Sequence, residues 1–189
     1  MTDEVKFLPA GSQTVGPYFR IGLEYLIDRT PAVQDARVRT IQIHGKVLDR
    51  DGAPVPDAML EFWAADPDAE GLSSVNKELG FPRGFRRVAT DQDGRFAVAT
   101  RMPSAARDAD GMMHAPHMLV LVFARGLLRH LISRVYFGGE QDNADDLVLQ
   151  HVPVERCRTL IAECDPEEPG VYRWNVVLQG KNETVFFKW

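Results

Sequence analysis

Apolar and polar positions alternate along most of this chain. Ile41, Ile43 and Val47 alternate with Gln42, His44 and Lys46, a period of two that turns one face of a strand inward. Asp49-Arg50-Asp51-Gly52 follows, and Asp and Gly tolerate the left-handed backbone that a tight turn requires. Met59 to Ala64 reads as the returning strand. The arrangement then recurs, with Phe85 to Thr90 and Arg95 to Thr100 flanking Asp91-Gln92-Asp93-Gly94. The continuous apolar run from Met118 to Ala124 is expected to be a strand buried on both faces, and Leu131 to Phe137 alternates again. Tyr172, Trp174, Val176 and Leu178 alternate with Val171, Arg173, Asn175 and Val177. Gly180 and Asn182 then turn the chain into Thr184 to Phe187.

One short helix is expected over Pro153 to Glu163, with Pro at its start and apolar residues at Val154, Leu160 and Ile161. Asp66 to Gly84 and Pro103 to Pro116 read as long loops, a kind of segment that often carries function. Many short strands between Gly, Asp and Pro turns define an all-β chain with a β-sandwich or barrel. Residues 1–40, which hold Gly16-Pro17, lack this patterning and read as an extended, interface-forming N-terminal arm. The core domain is then 41–189.

Composition adds limits. The 189 residues, 44% hydrophobic and 26% charged, suit a globular chain of one or at most two domains. The 27 acidic and 22 basic side chains give a formal net charge of −5, which argues against nonspecific nucleic-acid binding. Met1 to Val5 shows no basic segment leading into an apolar one, so no secretory signal is expected. Met118 to Ala124 is too short to span a bilayer. A cytoplasmic chain without a membrane partner is therefore expected. Cys157 and Cys164 have no metal-binding spacing and are expected to be reduced thiols.

Few groups suggest chemistry by spacing alone. Asp91 to Gly94 lacks the further oxygen ligands of a calcium loop and is better read as a hairpin turn. His114 and His117 enter an apolar strand from a loop, while His130 and His151 lie elsewhere; loop histidines satisfied by backbone are the simpler reading than a metal site. There is no nucleophile elbow, phosphate-binding loop or dinucleotide fingerprint. Arg125 follows the apolar run and reads either as a surface ion pair or as an anion contact, for which its planar fork of donors is suited.

Longer motifs carry a resemblance over nearly the whole chain. They are Ser12-Gln13-Thr14-Val15-Gly16-Pro17-Tyr18, Gly45 to Asp49 with Gly52 to Ala58, Glu61-Phe62-Trp63-Ala64-Ala65-Asp66, Ala89 to Phe96, and Ala115-Pro116-His117. Phe123-Ala124-Arg125-Gly126-Leu127-Leu128 and Leu178 to Phe187 complete the set. With these the chain resembles the intradiol ring-cleaving dioxygenases, and in particular the iron-lacking alpha chain of their alpha–beta members. The resemblance implies a β-sandwich core and a nonhaem ferric ion bound in the catalytic chain by two tyrosines and two histidines, the latter as His-x-His at the start of a strand. Here His117 matches the first histidine, a vestigial metal position, but Leu119 stands at the second. The tyrosines Tyr18, Tyr25, Tyr136 and Tyr172 all lie outside the two loops that should supply phenolates. Ferric iron is a hard acid that such oxygens stabilise, so Fe(III) is expected on the beta partner and no catalytic residue on this chain.

The resemblance further implies that Thr14, Gly16, Pro17, Tyr18 and Arg125 wall the partner's site and contact its substrate. The assembled enzyme is expected to open 3,4-dihydroxybenzoate with O2, giving 3-carboxy-cis,cis-muconate. Two other readings are a free-standing β-sandwich module for small aromatic ligands, and a homo-oligomeric enzyme that recruits His114, His117 and His130 for another metal.

Overall fold

The computed structural model describes residues 11–27, 39–64, 75–76, 81–82, 84–108 and 110–188. Strand β1 (Thr40–Leu48) lies at the centre of the organisation. It pairs antiparallel with β6 (Arg95–Arg101) on one side, and parallel with β12 (Val171–Arg173) and β13 (Val176–Val177) on the other. From β12 the sheet continues through β11 (Ile161–Cys164), β10 (Leu131–Phe137), β9 (His117–Phe123) and β2 (Met59–Ala64) to β5 (Phe85–Ala89). Thus β5 and β6 stand at opposite ends of this order, yet only the turn at Asp91 to Gly94 separates them in the chain. That short link forces the sheet to curl back on itself, and the core fills the space inside.

The period-two reading explains which side chains enter that core. Ile41, Ile43 and Val47 of β1, Val98 of β6 and Val120 and Val122 of β9 are buried, each such side chain contributing roughly 1.5–3 kcal/mol relative to exposure. Gly45 breaks the series for a steric reason: a Cβ there would lie 1.7 Å from the carbonyl oxygen of Trp174. Asp49 and Asp91 close the two expected turns, each carboxylate accepting backbone N–H groups two and four residues on. Asp91 therefore serves a hairpin.

Several expectations need correction. The arm is not extended throughout, because Gly16–Leu23 form helix α1; Pro17 stands in its first turn, where a missing N–H is not needed. Residues 28–38 of the arm lie outside the described set. The expected helix from Pro153 to Glu163 is shorter. Helix α3 (Val154–Cys157) passes into a single 3₁₀ turn over Arg158–Leu160. Ile161 onward is then taken into β11, whose parallel pairing with β10 satisfies more backbone than a further helical turn would. Strand β9 is deeply buried on one face only; Met118, Val120 and Val122 alternate with half-buried His117, Leu119, Leu121 and Phe123.

The alternating run at Val171 to Leu178 is split into β12 and β13 where the Trp174 N–H crosses to His44 and Asn175 caps the Lys46 N–H. Thr184 to Phe187 supplies one bridge, Phe187 to Ile132, rather than a strand. Within Asp66 to Gly84 the described residues are the pair β3 (Val75–Asn76) and β4 (Phe81–Pro82), and Gly84. The loop from Pro103 to Pro116 contains a hairpin of β7 (Ala106–Arg107) and β8 (Met113–His114), closed by Asp108 in the same manner as the other two turns.

Candidate functional site

Polar chemistry gathers at both ends of β9. At its start, His117 sits opposite Tyr136 of β10, and its Nδ1 donates to the Ala115 carbonyl at 2.7 Å. Beside it lies Asp146, only 1% exposed, at the N-cap of helix α2 (Leu147–His151). One Asp146 oxygen accepts the N–H groups of Val148 and Leu149 and the Tyr136 hydroxyl, the last at 3.1 Å. The other accepts the Ala115 N–H at 2.9 Å and faces His114 Nδ1 at 3.3 Å. His114 Nε2 faces Asp108 at 3.1 Å, while Arg134 Nη1 donates to the Tyr136 hydroxyl at 3.3 Å.

The charge balance of this cluster follows from those contacts. Burial pushes the Asp146 carboxyl up, but the donors from Leu149, Ala115 and Tyr136 outweigh it and hold the group below the usual carboxylate range. His114 holds Asp108 low in the same way. Burial drives Tyr136 well above the ordinary phenol value, against the pull of Arg134, and lowers His117 because a buried imidazole resists protonation.

These residues do not fit a ferric ion. Tyr136 keeps its proton and donates a hydrogen bond to Asp146, both ring nitrogens of His114 face carboxylates, and Leu119 offers no donor beside His117. Among the described residues no three His, Cys, Asp or Glu converge as a metal site. The three-histidine grouping is not assembled either. His130 packs on Phe123, ring centroids 5.4 Å apart, and Phe123 ends the seven-residue strand that His117 begins, a span of about 20 Å.

The far end of β9 is built differently. After Phe123 the chain turns at Ala124 to Leu127, closed by the Leu127 N–H on the Ala124 carbonyl. The Gly126 N–H donates to Thr14 Oγ1 at 2.8 Å, and Phe19 of α1 packs on Phe123 at 5.2 Å. The arm is thereby tied to the turn that carries Arg125. Thr14 and Arg125, far apart in sequence, thus lie on neighbouring parts of one surface. Gly16 adopts φ 63°, a conformation glycine takes readily, as α1 begins. Tyr18 is 81% exposed. Arg125 is also open, its side chain 61% exposed, with Nε 3.5 Å from an oxygen of Asp57.

Two residues of these ends were not singled out from sequence. Asp146 has a local signal only as a helix N-cap before Leu147-Val148-Leu149, taking the Val148 and Leu149 N–H groups; its other partners, Ala115, His114 and Tyr136, lie 10 to 32 residues away and leave no spacing to read. Asp57 lies inside a quoted motif, but its left-handed backbone, φ 64°, is legible only from coordinates.

Comparison with known proteins now defines the class. The chain belongs to the dioxygenase family, whose sequence pattern matches residues 16–180. Within that family it is 43% identical to the protocatechuate 3,4-dioxygenase alpha chain of Burkholderia cepacia, covering 93% of this chain and 95% of that one. It is 37% identical to the alpha chain of Pseudomonas putida, covering 97% and 98%. The beta chain of the Burkholderia cepacia enzyme is 27% identical over 76% of this chain and 66% of its own length. Among solved structures, 3-chlorocatechol 1,2-dioxygenase of Rhodococcus opacus 1CP superposes with a TM-score of 0.60 at 23% identity, over 80% of this chain and 65% of that one. The chain spans 55% of catechol 1,2-dioxygenase from Pseudomonas arvilla C-1. The expected β-sandwich fold and family resemblance are both upheld.

Proposed function

We propose that this chain is the alpha subunit of an alpha–beta dioxygenase that opens 3,4-dihydroxybenzoate with O2, its ferric ion held by the beta subunit. Similarity to alpha chains across 95% and 98% of the length of those relatives supports the assignment, and relatedness to a beta chain supports a paired assembly. One observation carries the role of this chain: the Thr14 contact joins the arm to the Arg125 turn and makes one exposed wall of two distant segments.

That wall suits an anionic aromatic substrate. Gly16 lets backbone approach a flat ring closely, since no side chain intervenes. Pro17 stiffens the approach by fixing φ, and Tyr18 offers an exposed aromatic face beside it. Arg125 supplies a cation and a planar donor fork for a carboxylate. Its contribution is orientation and charge. The cluster around Asp146 closes the position where the catalytic relative would keep its metal, so this chain acts on the partner's centre rather than on one of its own.

Co-expression with a beta chain tests the reading. The purified complex should contain iron and turn over 3,4-dihydroxybenzoate, whereas this chain alone should hold little iron and be inactive. Stoichiometric iron with turnover in the isolated chain, or monomeric binding of catechols without any partner, would overturn it.

A further inference from the structure

The turn before β2 contains the one non-glycine residue with positive φ among the described residues, Asp57. Asp tolerates this region less well than Gly, so a strained Asp there calls for a reason. Packing supplies part of it. Thr90, buried and at the end of β5, donates its hydroxyl to the Val55 carbonyl and accepts the Ala58 N–H. The residues on both sides of Asp57 are therefore pinned to the core, and the carboxylate projects from a rigid base.

What the carboxylate does there is more informative. Its Oδ1 is buried without a hydrogen-bond partner among the described residues, a costly condition for a charged oxygen. Among the described residues its Oδ2 has one ionic partner, Arg125 Nε at 3.5 Å. A guanidinium carries donors on two sides, Nε with one terminal amino group, and the pair of terminal amino groups at its end. With the Nε side held by Asp57, the terminal pair remains for a carboxylate in the two-point geometry that arginine favours. The same turn is also held by Thr14, which accepts the Gly126 N–H.

We propose that Asp57 is a positioning residue: it aims the Arg125 guanidinium so that its terminal amino groups receive the carboxylate of a dihydroxybenzoate, and so favours carboxylate-bearing catechols. This rests on the reading of Arg125 as part of the substrate wall. The arm and Asp57 then both hold one turn, at the neighbouring residues Gly126 and Arg125, and the cation is preorganised rather than free to swing.

The test uses the purified alpha–beta complex with 3,4-dihydroxybenzoate. Asp57→Gly deletes the carboxylate while relieving the backbone, so the complex should melt no lower than wild type. It should nevertheless raise KM about three- to tenfold with kcat nearly unchanged. Asp57→Asn, which keeps an acceptor oxygen and suits positive φ, should restore most of the loss. In an Arg125→Ala background, Asp57→Gly should add nothing further. If Arg125→Ala raises KM while Asp57→Gly leaves it unchanged, or if the two effects simply multiply, the positioning role is wrong and the wall stands. If Arg125→Ala itself leaves KM unchanged, the reading of the wall fails and the role of Asp57 falls with it.

Discussion

At the His117 end of β9, Arg134, Tyr136, Asp146, His114 and Asp108 hydrogen-bond or pair with one another in a largely buried chain. At the Phe123 end, Arg125 has a single ionic partner among the described residues and its side chain stays mostly in solvent. The same strand thus carries polar groups that complete each other at one end and a cation left open at the other. A satisfied, buried network confers rigidity and offers nothing to a ligand. An exposed charge with donors to spare adds little stability and can recognise one. The end of β9 equipped to meet a ligand is therefore the one whose polar groups are incomplete, even though the more elaborate cluster lies elsewhere.

The sharpest way to break this contrast is Asp146→Ala. It strands the N–H groups of Ala115, Val148 and Leu149 together with the Tyr136 hydroxyl, and urea unfolding should show a loss of about 3–5 kcal/mol. A loss no larger than that of a surface substitution would mean the cluster is not structural. At the opposite end, Arg125→Ala should raise KM of the complex about tenfold, equivalent to ~1.4 kcal/mol, while shifting unfolding by no more than about 0.5 kcal/mol. An equal effect on both quantities would erase the difference between the ends.

Thr14→Val should act more mildly. It removes one hydrogen bond, worth about 0.5–1.5 kcal/mol, and hydrogen exchange at the Gly126 amide should quicken by the corresponding few-fold while the β-core amides keep their protection. The smallest effect concerns acid. Asp108 is held below its ordinary value by His114, so its contribution is present above the unfolded value near pH 4 and lost as pH falls through the lower folded value. Thermal scans of Asp108→Asn should therefore converge with wild type in that acid range and fall below it toward neutrality. A constant offset at every pH would show that ionisation of Asp108 is irrelevant.

Local chemistry made much of the fold readable. Ile41, Ile43 and Val47 mark the inner face of β1, and Asp-x-Asp-Gly marks the turns at Asp49 and Asp91. The third turn, at Asp108, has the same signal but sits between two-residue strands too short to show alternation. The helix after Pro153 reads as too long because Leu160 and Ile161 suit either a helix face or a buried strand. Only pairing with β10, across the fold, decides between them. The ends of β9 divide in the same way. Thr14, Gly16 and Arg125 stand out through motifs, whereas Asp146 and Asp57 depend on distant partners and on a backbone angle. Only the helix cap at Asp146 leaves a local trace, an Asp just before Leu147-Val148-Leu149; the rest of its network and the angle at Asp57 leave none.

The parallel union of β1 with β12 and β13 also constrains how the chain reaches this shape. Lys46 meets Asn175 across a separation of 129 residues, which a ribosome takes on the order of ten seconds to synthesise. During that interval β6 can cover one side of β1, while the other waits as an open ladder of amides and carbonyls, the kind of edge that recruits stray strands. High contact order of this sort slows closure. A nascent chain stalled before Val171 should consequently be protease-sensitive and prone to aggregate, and the protein should acquire its native resistance only once its final segment has been released.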